Sequence, residues 1–214
     1  MQLEYLETQK KRKIAYCKTE GKGPTVVFLG GFKSEMAGSK ATFLESWAER
    51  AGHAYLRLDY SGHGKSSGDF TDGCIGDWLE DAQSVIEHAT DGPLILIGSS
   101  MGGWISLLLA KKLKQRIVGL LTIAAAPDFT EEEFWVKFSE VQKQEILVEG
   151  VTYLPSEYDE PYPITKKLIE DGRRHLLSHG PLEMSVPVRM LQGDLDTSVT
   201  RETALSLFDQ MNGH

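Results

Sequence analysis

Residues 93–113, with the sequence PLILIGSSMGGWISLLLAKKL, form the most informative segment of this 214-residue chain. The run Pro93–Ile97 is almost entirely apolar, which predicts a strand buried on both faces of a parallel sheet. Apolar side chains at helical spacing then predict the helix Met101–Leu113. Between the two lies GSSMG, residues 98–102, a G-x-S-x-G pattern. A strand, a tight turn and a helix around this pattern are what a nucleophile elbow requires, so Ser100 is the candidate nucleophile.

The glycines of this pattern support a catalytic role for Ser100. A nucleophile elbow is strained and neighbouring backbone passes close to it, which leaves no room for a Cβ at Gly98 or Gly102. Ser100 also lies at the start of the predicted helix, where the dipole and free N–H groups stabilise developing negative charge. The alternative is an ordinary serine-glycine turn, because so short a pattern also arises by chance in a chain with 21 glycines.

Apolar runs alternate with helix-period segments along most of the chain, which is typical of βα units and a largely parallel sheet. The other predicted strands are Arg12–Lys18, Thr25–Leu29, Ala54–Asp59, Val118–Ala124 and Val188–Gln192. The other predicted helices are Ser39–Ala51, Ile75–Thr90 and Arg201–Met211. The expected fold class is therefore α/β, with a mostly parallel central sheet flanked by helices.

One segment, residues 127–184, interrupts the alternation. It contains a candidate helix whose start has Thr130 and Glu133 in capping-box spacing, followed by two short apolar runs. We interpret this segment as an insertion between two strands that folds over the sheet as a lid. The predicted organisation is a core, residues 1–126 and 185–214, and a lid, residues 127–184.

Composition and charge argue against several classes of protein. The net charge of −8 is concentrated in residues 127–163, which contain ten acidic and two basic residues. A nucleic-acid-binding surface needs clustered Lys and Arg, so we expect no nucleic-acid partner. The longest nearly apolar run, Ile117–Ala126, is far shorter than the roughly 20 residues that cross a bilayer, so we expect no membrane span.

The N-terminus and the cysteines bear on the cellular compartment. The acidic start of the chain is followed by a basic run and no apolar segment, which fits neither a secretory signal nor a transit peptide. The two cysteines, Cys17 and Cys74, are too few for a disulfide framework and lack metal-ligand spacing. We therefore expect a cytoplasmic protein that needs no metal and no cofactor. The sequence does not indicate an oligomeric state.

These motifs resemble the α/β-hydrolase superfamily over nearly the whole chain. The segment FLGGF, residues 28–32, follows an early strand at the place where that family keeps its second oxyanion donor. The resemblance implies that the backbone N–H groups of Phe32 and Met101 hold the oxyanion; a plain strand-end turn at Gly30-Gly31 is the alternative.

The segment LDYSGHGKS, residues 58–66, resembles the family's structural loop. Its GKS ending is also similar to a P-loop, but the first glycine of that pattern is missing, which disfavours nucleotide binding.

The resemblance also implies an acid late in the chain. In QGDLDTSV, residues 192–199, only Asp196 fits the G-x-x-D-x-x-V spacing that is common in the family, so Asp196 is the candidate triad acid. Asp194 is expected to be an ordinary carboxylate that precedes a helix. Asp128 lies where some hydrolases keep their acid, but its position just before a helix favours a charge at that helix N-terminus.

No histidine stands where the superfamily keeps its base. The family order is Ser, Asp, His, with the histidine one helix and one strand after the acid. Only 18 residues follow Asp196, and they end at His214 with the helix Arg201–Met211. We expect the last strand, the histidine loop and the final helix to lie outside this chain, which is then a poor hydrolase as written. The other histidines are expected to be structural, surface or lid residues: His53, His63, His88, His175 and His179.

Within the superfamily, the short lid and the strings GGFKSEM, DYSGHG and GSSMGGW are most similar to palmitoyl-protein thioesterases that also hydrolyse acyl glucuronides, and to their bacterial relatives. The resemblance implies attack by Ser100 on a small-molecule or acyl-protein ester or thioester, and an acyl-enzyme that water hydrolyses. The alternative function is a non-catalytic binding protein that kept the fold and lost its histidine. Apolar lid residues either line an acyl pocket or pack the lid onto the core: Phe134, Trp135, Phe138, Val151, Tyr153, Leu154, Tyr158 and Tyr162.

Overall fold

The computed structural model describes residues 2–155, 161–178 and 180–212. The strands of these residues are β1 (Gln2–Glu7), β2 (Lys13–Thr19), β3 (Lys22–Leu29), β4 (His53–Leu58), β5 (Leu94–Ser99), β6 (Ile117–Ile123), β7 (Val151–Leu154), β8 (Tyr162–Thr165), β9 (Leu182–Glu183), β10 (Val188–Leu191) and β11 (Met211–Asn212). The α-helices are α1 (Ser39–Ala51), α2 (Ile75–Ala89), α3 (Met101–Lys112), α4 (Glu140–Val148), α5 (Lys166–Gly172) and α6 (Arg201–Gln210). A 3₁₀ turn, Phe70–Asp72, and a π-helical segment, Thr130–Trp135, complete the elements.

The central sheet of the described residues has seven strands in the order β1-β2-β4-β3-β5-β6-β10. The β1-β2 and β2-β4 pairs are antiparallel, and the pairs from β4-β3 to β6-β10 are parallel. The expected mostly parallel sheet flanked by helices is therefore confirmed. Parallel strands place their carboxyl ends at one edge of the sheet, which is where α/β folds bind their ligands.

The strand β3 shows why a continuous apolar run forms the middle of this sheet. Val26 and Phe28 are buried on one face with Ala41 of α1. Val27 and Leu29 belong to the larger buried cluster that includes side chains of α2 and α3. Because successive side chains of a strand point to opposite faces, a strand covered by helices on both sides must be apolar at every position.

The predicted core strands and helices agree with the structure, and their ends differ by three residues at most. The strand β1 has no predicted counterpart, because the side chains of this edge strand are mostly exposed and give no apolar run. The helix α5 has none either, because its seven residues are too few for a clear helical period.

The predicted capping box at Thr130 and Glu133 is wrong. Both residues lie in the π-helical segment, and the Thr130 side chain is fully buried without a hydrogen-bond partner among the described residues. A Cβ at Gly172 would lie 2.2 Å from the Thr130 hydroxyl oxygen, so α5 packs directly on this side chain. This tertiary contact overrides the local pattern. A capping box instead begins α4, where Ser139 and Gln142 bond reciprocally.

The elements between β6 and β10 pack on α2 and α3. The indole N–H of Trp104 in α3 donates to the carbonyl oxygen of His175 at 3.1 Å. The carboxylate of Asp171 in α5 accepts from the backbone N–H of Gly76 in α2 at 2.7 Å. Within the same segment, β7 and β8 form an antiparallel hairpin. The division into a core and a lid of residues 127–184 stays a prediction.

Candidate active site

Ser100 lies on the turn between β5 and α3 with φ 54° and ψ −121°. Residues other than glycine rarely adopt a positive φ, so this turn is strained. Three backbone hydrogen bonds hold it. The N–H of Ser100 donates to Ile123 at 3.0 Å, and its carbonyl oxygen accepts from Gly103 at 2.8 Å and Ala126 at 3.1 Å. The serine is thereby fixed at the carboxyl end of β5.

The two glycines of the G-x-S-x-G pattern allow the chain to pack closely around this turn. A Cβ at Gly102 would lie 2.0 Å from the carbonyl oxygen of Leu29. A Cβ at Gly98 would lie 2.2 Å from the carbonyl oxygen of Gly102. Neither distance admits a side chain, and the opposing atoms are backbone that cannot move aside. The crowding expected at a nucleophile elbow is therefore present at both positions.

Two backbone N–H groups lie near Ser100 with no acceptor among the described residues. One belongs to Met101, which is the first residue of α3 and has no partner within the helix. The other belongs to Phe32 in the Phe32 loop, residues 30–36. A Cβ at its neighbour Gly31 would lie 3.3 Å from the Cβ of Ser100, so this loop passes directly beside the serine. Phe32 and Ser100 also line one cavity of about 370 Å³.

Asp196 lies between β10 and α6, in the Asp196 loop, residues 193–199. Its Oδ1 accepts from the backbone N–H groups of Ser198 and Val199 at 2.9 and 3.0 Å. Asp196 and Ser100 line the same cleft, which has a volume of about 480 Å³. The structure thus brings the predicted acid and the predicted nucleophile to one cleft.

The other two carboxylates considered in the sequence have local roles. Asp194 is exposed, and its Oδ1 lies 3.3 Å from the guanidinium of Arg201. Asp128 is buried, and its carboxylate accepts from the backbone N–H groups of Leu177 and Ser178 at 2.8 Å each. These bonds join Asp128 to residues 177 and 178 in place of the expected interaction with a helix N-terminus.

None of the histidines that the structure describes lines either cavity at Ser100. His53, His88 and His175 belong to β4, to α2 and to the turn after α5. His63 is buried in the loop after β4, and this burial lowers its pKa to about 4. The remaining two lie outside the described residues: His179 and His214.

The 370 Å³ cavity has an apolar wall beside the nucleophile, formed by Phe32, Phe129, Phe134, Leu154 and Tyr162. The Phe32 ring packs edge-on against Phe129 and Phe134, with ring centroids 5.6 and 6.0 Å apart. Edge-to-face packing of this kind stabilises a rigid apolar surface. Phe129 is not among the sequence-based candidates, although an aromatic residue soon after the end of β6 was an available signal.

Two glutamates also line this cavity, Glu132 and Glu133. Burial, followed by the charges of Asp128 and Glu133, raises the pKa of Glu132. A second negative charge in this cavity is therefore unfavourable.

The candidate lid residues divide between the two expected roles. Phe134, Leu154 and Tyr162 line the cavity. Phe138 is buried in the core, and the Trp135 ring lies under the guanidinium of Arg173 at 4.7 Å. Val151 and Tyr153 do not line this cavity. Tyr158 lies outside the described residues.

Comparisons with known proteins identify the family and the fold to which this chain is similar. The family described as "Serine aminopeptidase, S33" matches residues 22–156. "Palmitoyl-protein thioesterase ABHD10, mitochondrial" of Pongo abelii is 36% identical over 211 residues, covering 98% of this chain and 69% of that protein. The crystal structure of a protein from Agrobacterium vitis S4 matches with a TM-score of 0.94 and 36% identity, covering 98% of this chain and 85% of that one. Alpha/beta hydrolase domain-containing protein 10 from mouse matches with a TM-score of 0.90 and 32% identity, covering 100% and 86%.

The comparisons overturn the predicted compartment. Relatives such as the Pongo abelii protein are named as mitochondrial, so the cytoplasmic prediction is wrong. Compartment is specified by signals that a receptor reads, whereas the charge pattern used for the prediction belongs to β1, β2 and the turn between them, which are part of the sheet. Separately, none of the helices that the structure describes is both long and apolar enough to cross a membrane.

Proposed function

The chain belongs to the serine aminopeptidase S33 family of α/β hydrolases and is an ester or thioester hydrolase, and on this basis we propose that Ser100 is its nucleophile. The observation that carries the proposal is the backbone of Ser100, held at φ 54° between β5 and α3. It lies beside two N–H groups for which the described part of the chain supplies no acceptor. A strained serine at the junction of a strand and a helix is the arrangement that a nucleophile elbow needs.

The chemistry follows from these groups. The Oγ of Ser100 attacks the carbonyl carbon, its proton passes to a general base, and the carbonyl oxygen becomes an oxyanion. The backbone N–H groups of Phe32 and Met101 donate to this oxyanion and stabilise the transition state. Collapse of the intermediate expels an alcohol or thiol, which takes the proton, and leaves the acyl group on Ser100. Water then attacks in the same way, which releases the carboxylic acid and restores the serine.

Asp196 is assigned the role of orienting the general base. An acid in this role holds a histidine ring in the correct tautomer and stabilises the imidazolium that forms. None of the described residues supplies a histidine to the cleft.

The proposed substrate is an acyl thioester with an apolar acyl chain. The support is the name of the relatives, palmitoyl-protein thioesterase, together with the apolar cavity wall beside Ser100. Residues 127–184 contribute most of that wall and act as the lid. The two glutamates of the cavity favour a neutral acyl chain over one that ends in a carboxylate, because like charges repel strongly in a partly buried site.

Two adjacent serines provide the test of the nucleophile. Ser100→Ala and Ser99→Ala are prepared in the full-length gene product and assayed with palmitoyl-CoA and p-nitrophenyl butyrate. Ser100→Ala is expected to lower kcat by about 10⁶-fold, the scale seen when a serine nucleophile is removed. Ser99→Ala should stay within about tenfold of the wild type, since its hydroxyl takes no part in the reaction. Turnover that persists in Ser100→Ala would reject the proposal.

The acyl preference needs a separate measurement. Rates are compared for p-nitrophenyl esters of a monocarboxylic acid and of a dicarboxylic acid with equal chain length. The neutral chain should react faster, and Glu132→Gln combined with Glu133→Gln should reduce the difference. Equal rates for both esters in the wild type would show that the glutamates do not select the acyl chain.

A further inference from the structure

We propose that His63 is a positioning residue that holds the Phe32 loop in the geometry needed for oxyanion binding. The inference rests on the proposed function, because it presupposes that the backbone N–H of Phe32 donates to the oxyanion. His63 does not contact the substrate cavity. It acts through the backbone of the residue that follows Phe32.

The contact that supports this role joins two loops that are 30 residues apart in sequence. The Nε2 of His63 lies 3.2 Å from the backbone N–H of Lys33, which donates to it. The Nδ1 of His63 lies 3.1 Å from the carbonyl oxygen of Ser61, which is an acceptor only. The ring therefore carries its proton on Nδ1 and uses Nε2 as an acceptor. Only the neutral ring satisfies both contacts.

The backbone of Lys33 needs such a restraint. Lys33 has φ 54°, a conformation that residues with a side chain rarely adopt and that persists only where the surroundings enforce it. Farther along the same loop, the N–H of Met36 donates to Oδ1 of the buried Asp59 at 2.6 Å. His63 and Asp59 both follow β4, so the loop after this strand holds the Phe32 loop at two points.

His63 is itself held by a buried polar network. The carbonyl oxygen of Ser61 that accepts from His63 also accepts from the indole N–H of Trp78 at 3.0 Å. The N–H and hydroxyl of Ser61 donate to Oδ2 of Asp81 at 3.0 and 2.6 Å. Oδ1 of Asp81, a fully buried residue, accepts from Nε of Arg12 at 2.7 Å. The histidine thus connects α2, and through Asp81 also Arg12 just before β2, to the Phe32 loop.

The surroundings of His63 also favour its neutral form. The side chain is 4% exposed, and its ring packs edge-on against Tyr60, Phe70 and Trp78. Burial, followed by the charge of Lys33, lowers its pKa to about 4. Near pH 7 the ring therefore stays an acceptor toward the N–H of Lys33.

Two amide substitutions separate this role from a merely structural one. In His63→Gln, the side-chain amide reaches the place of Nε2, so its oxygen accepts from Lys33. In His63→Asn, the shorter amide reaches only the place of Nδ1, so it donates to Ser61 and leaves the N–H of Lys33 without an acceptor. Both variants remove the ring and leave a neutral amide in the same pocket. His88→Asn, at the exposed end of α2, controls for loss of a histidine.

The measurement is kcat and KM for p-nitrophenyl butyrate in the full-length gene product, with Tm recorded for each variant. His63→Asn is expected to lower kcat by about 100-fold, the scale of losing one oxyanion donor, while KM changes by less than about threefold. The kcat of His63→Gln should be at least about tenfold higher than that of His63→Asn. The proposal is overturned if the two variants lose kcat equally, or if His63→Asn stays within threefold of the wild type.

A spectroscopic measurement keeps the inference testable if both variants fail to fold. In the wild type, NMR should show a coupling across the hydrogen bond between the Lys33 amide nitrogen and Nε2 of His63, and a protonated Nδ1. A ring protonated on Nε2 at pH 7 would overturn the proposal. Ser100→Ala distinguishes failure of the proposed function from failure of this inference. Full activity in Ser100→Ala rejects the proposed function. An inactive Ser100→Ala together with equal kcat values for His63→Gln and His63→Asn rejects only the role of His63.

Discussion

The Phe32 loop and the Asp196 loop both reach the cleft at Ser100, but the protein holds them in different ways. The Phe32 loop is fixed by buried side chains from another part of the chain, His63 at Lys33 and Asp59 at Met36. Among the described residues, the carboxylate of Asp196 accepts only from N–H groups two and three residues farther along its own turn. One loop is therefore positioned by the core, and the other by its local sequence.

This difference matches the role that we propose for each loop. An oxyanion donor must lie about 2.7 to 3.1 Å from the oxygen on which negative charge develops, so its support must be rigid. The proposed task of Asp196 is to hold a base, so it acts on a side chain and not on the reacting oxygen itself. Leu195, next to Asp196, is 92% exposed, which shows how little of this loop is buried. The free energy of unfolding should respond to substitutions accordingly.

The largest effect on stability is expected from Arg12→Ala. Arg12 is the cation paired with the fully buried Asp81, and burial already raises the pKa of that carboxyl group. Removing one partner of a buried pair typically costs about 4 kcal/mol. Urea unfolding should show this loss, whereas Arg174→Ala, which breaks a weak contact at the surface, should cost less than about 1 kcal/mol. Equal losses in the free energy of unfolding of the two variants would show that the buried pair contributes no more than the surface contact.

A somewhat smaller effect is expected from pH. The pKa of His63 is about 4 in the folded protein and 6.5 in an exposed chain, because burial disfavours the charged ring. Between these values the unfolded chain binds a proton that the folded chain does not, so stability falls as pH decreases from 6.5 to 4. The full loss is about 3 kcal/mol. In urea unfolding at pH 7 and 4.5, the wild type should lose more stability than His63→Gln; parallel losses would contradict the assignment.

The smallest effect on stability is expected on the other side of the cleft. Asp196→Asn keeps an oxygen that accepts from Ser198 and Val199, so the free energy of unfolding should change by about 0.5 kcal/mol or less. Its kcat should nevertheless fall by at least about 100-fold if the charge orients a base. Asp194→Asn is the matched control and should change neither quantity. A large loss of stability in Asp196→Asn, or full activity, would show that this loop has a different role.

The sequence predicts those parts of the molecule in which apolar residues recur at a regular spacing or in which a few neighbouring residues form a motif. Alternating apolar runs identify the strands around β5, and the spacing of Gly193 and Val199 distinguishes Asp196 from Asp194. Contacts between distant residues leave no such signal. The hydrogen bond from Lys33 to His63, and the packing of α5 on Thr130, depend on how separate elements meet in the fold. For the same reason, the role of Asp128 is visible only in the structure.

Mapping a covalent adduct shows whether Ser100, at its strained turn, is the nucleophile. The full-length gene product is treated with a fluorophosphonate and digested, and the modified residue is identified by mass spectrometry. We expect a single phosphonylated residue, Ser100, with labelling lost in Ser100→Ala and kept in Ser99→Ala. An adduct on Ser99 or elsewhere, or labelling that persists in Ser100→Ala, would contradict it.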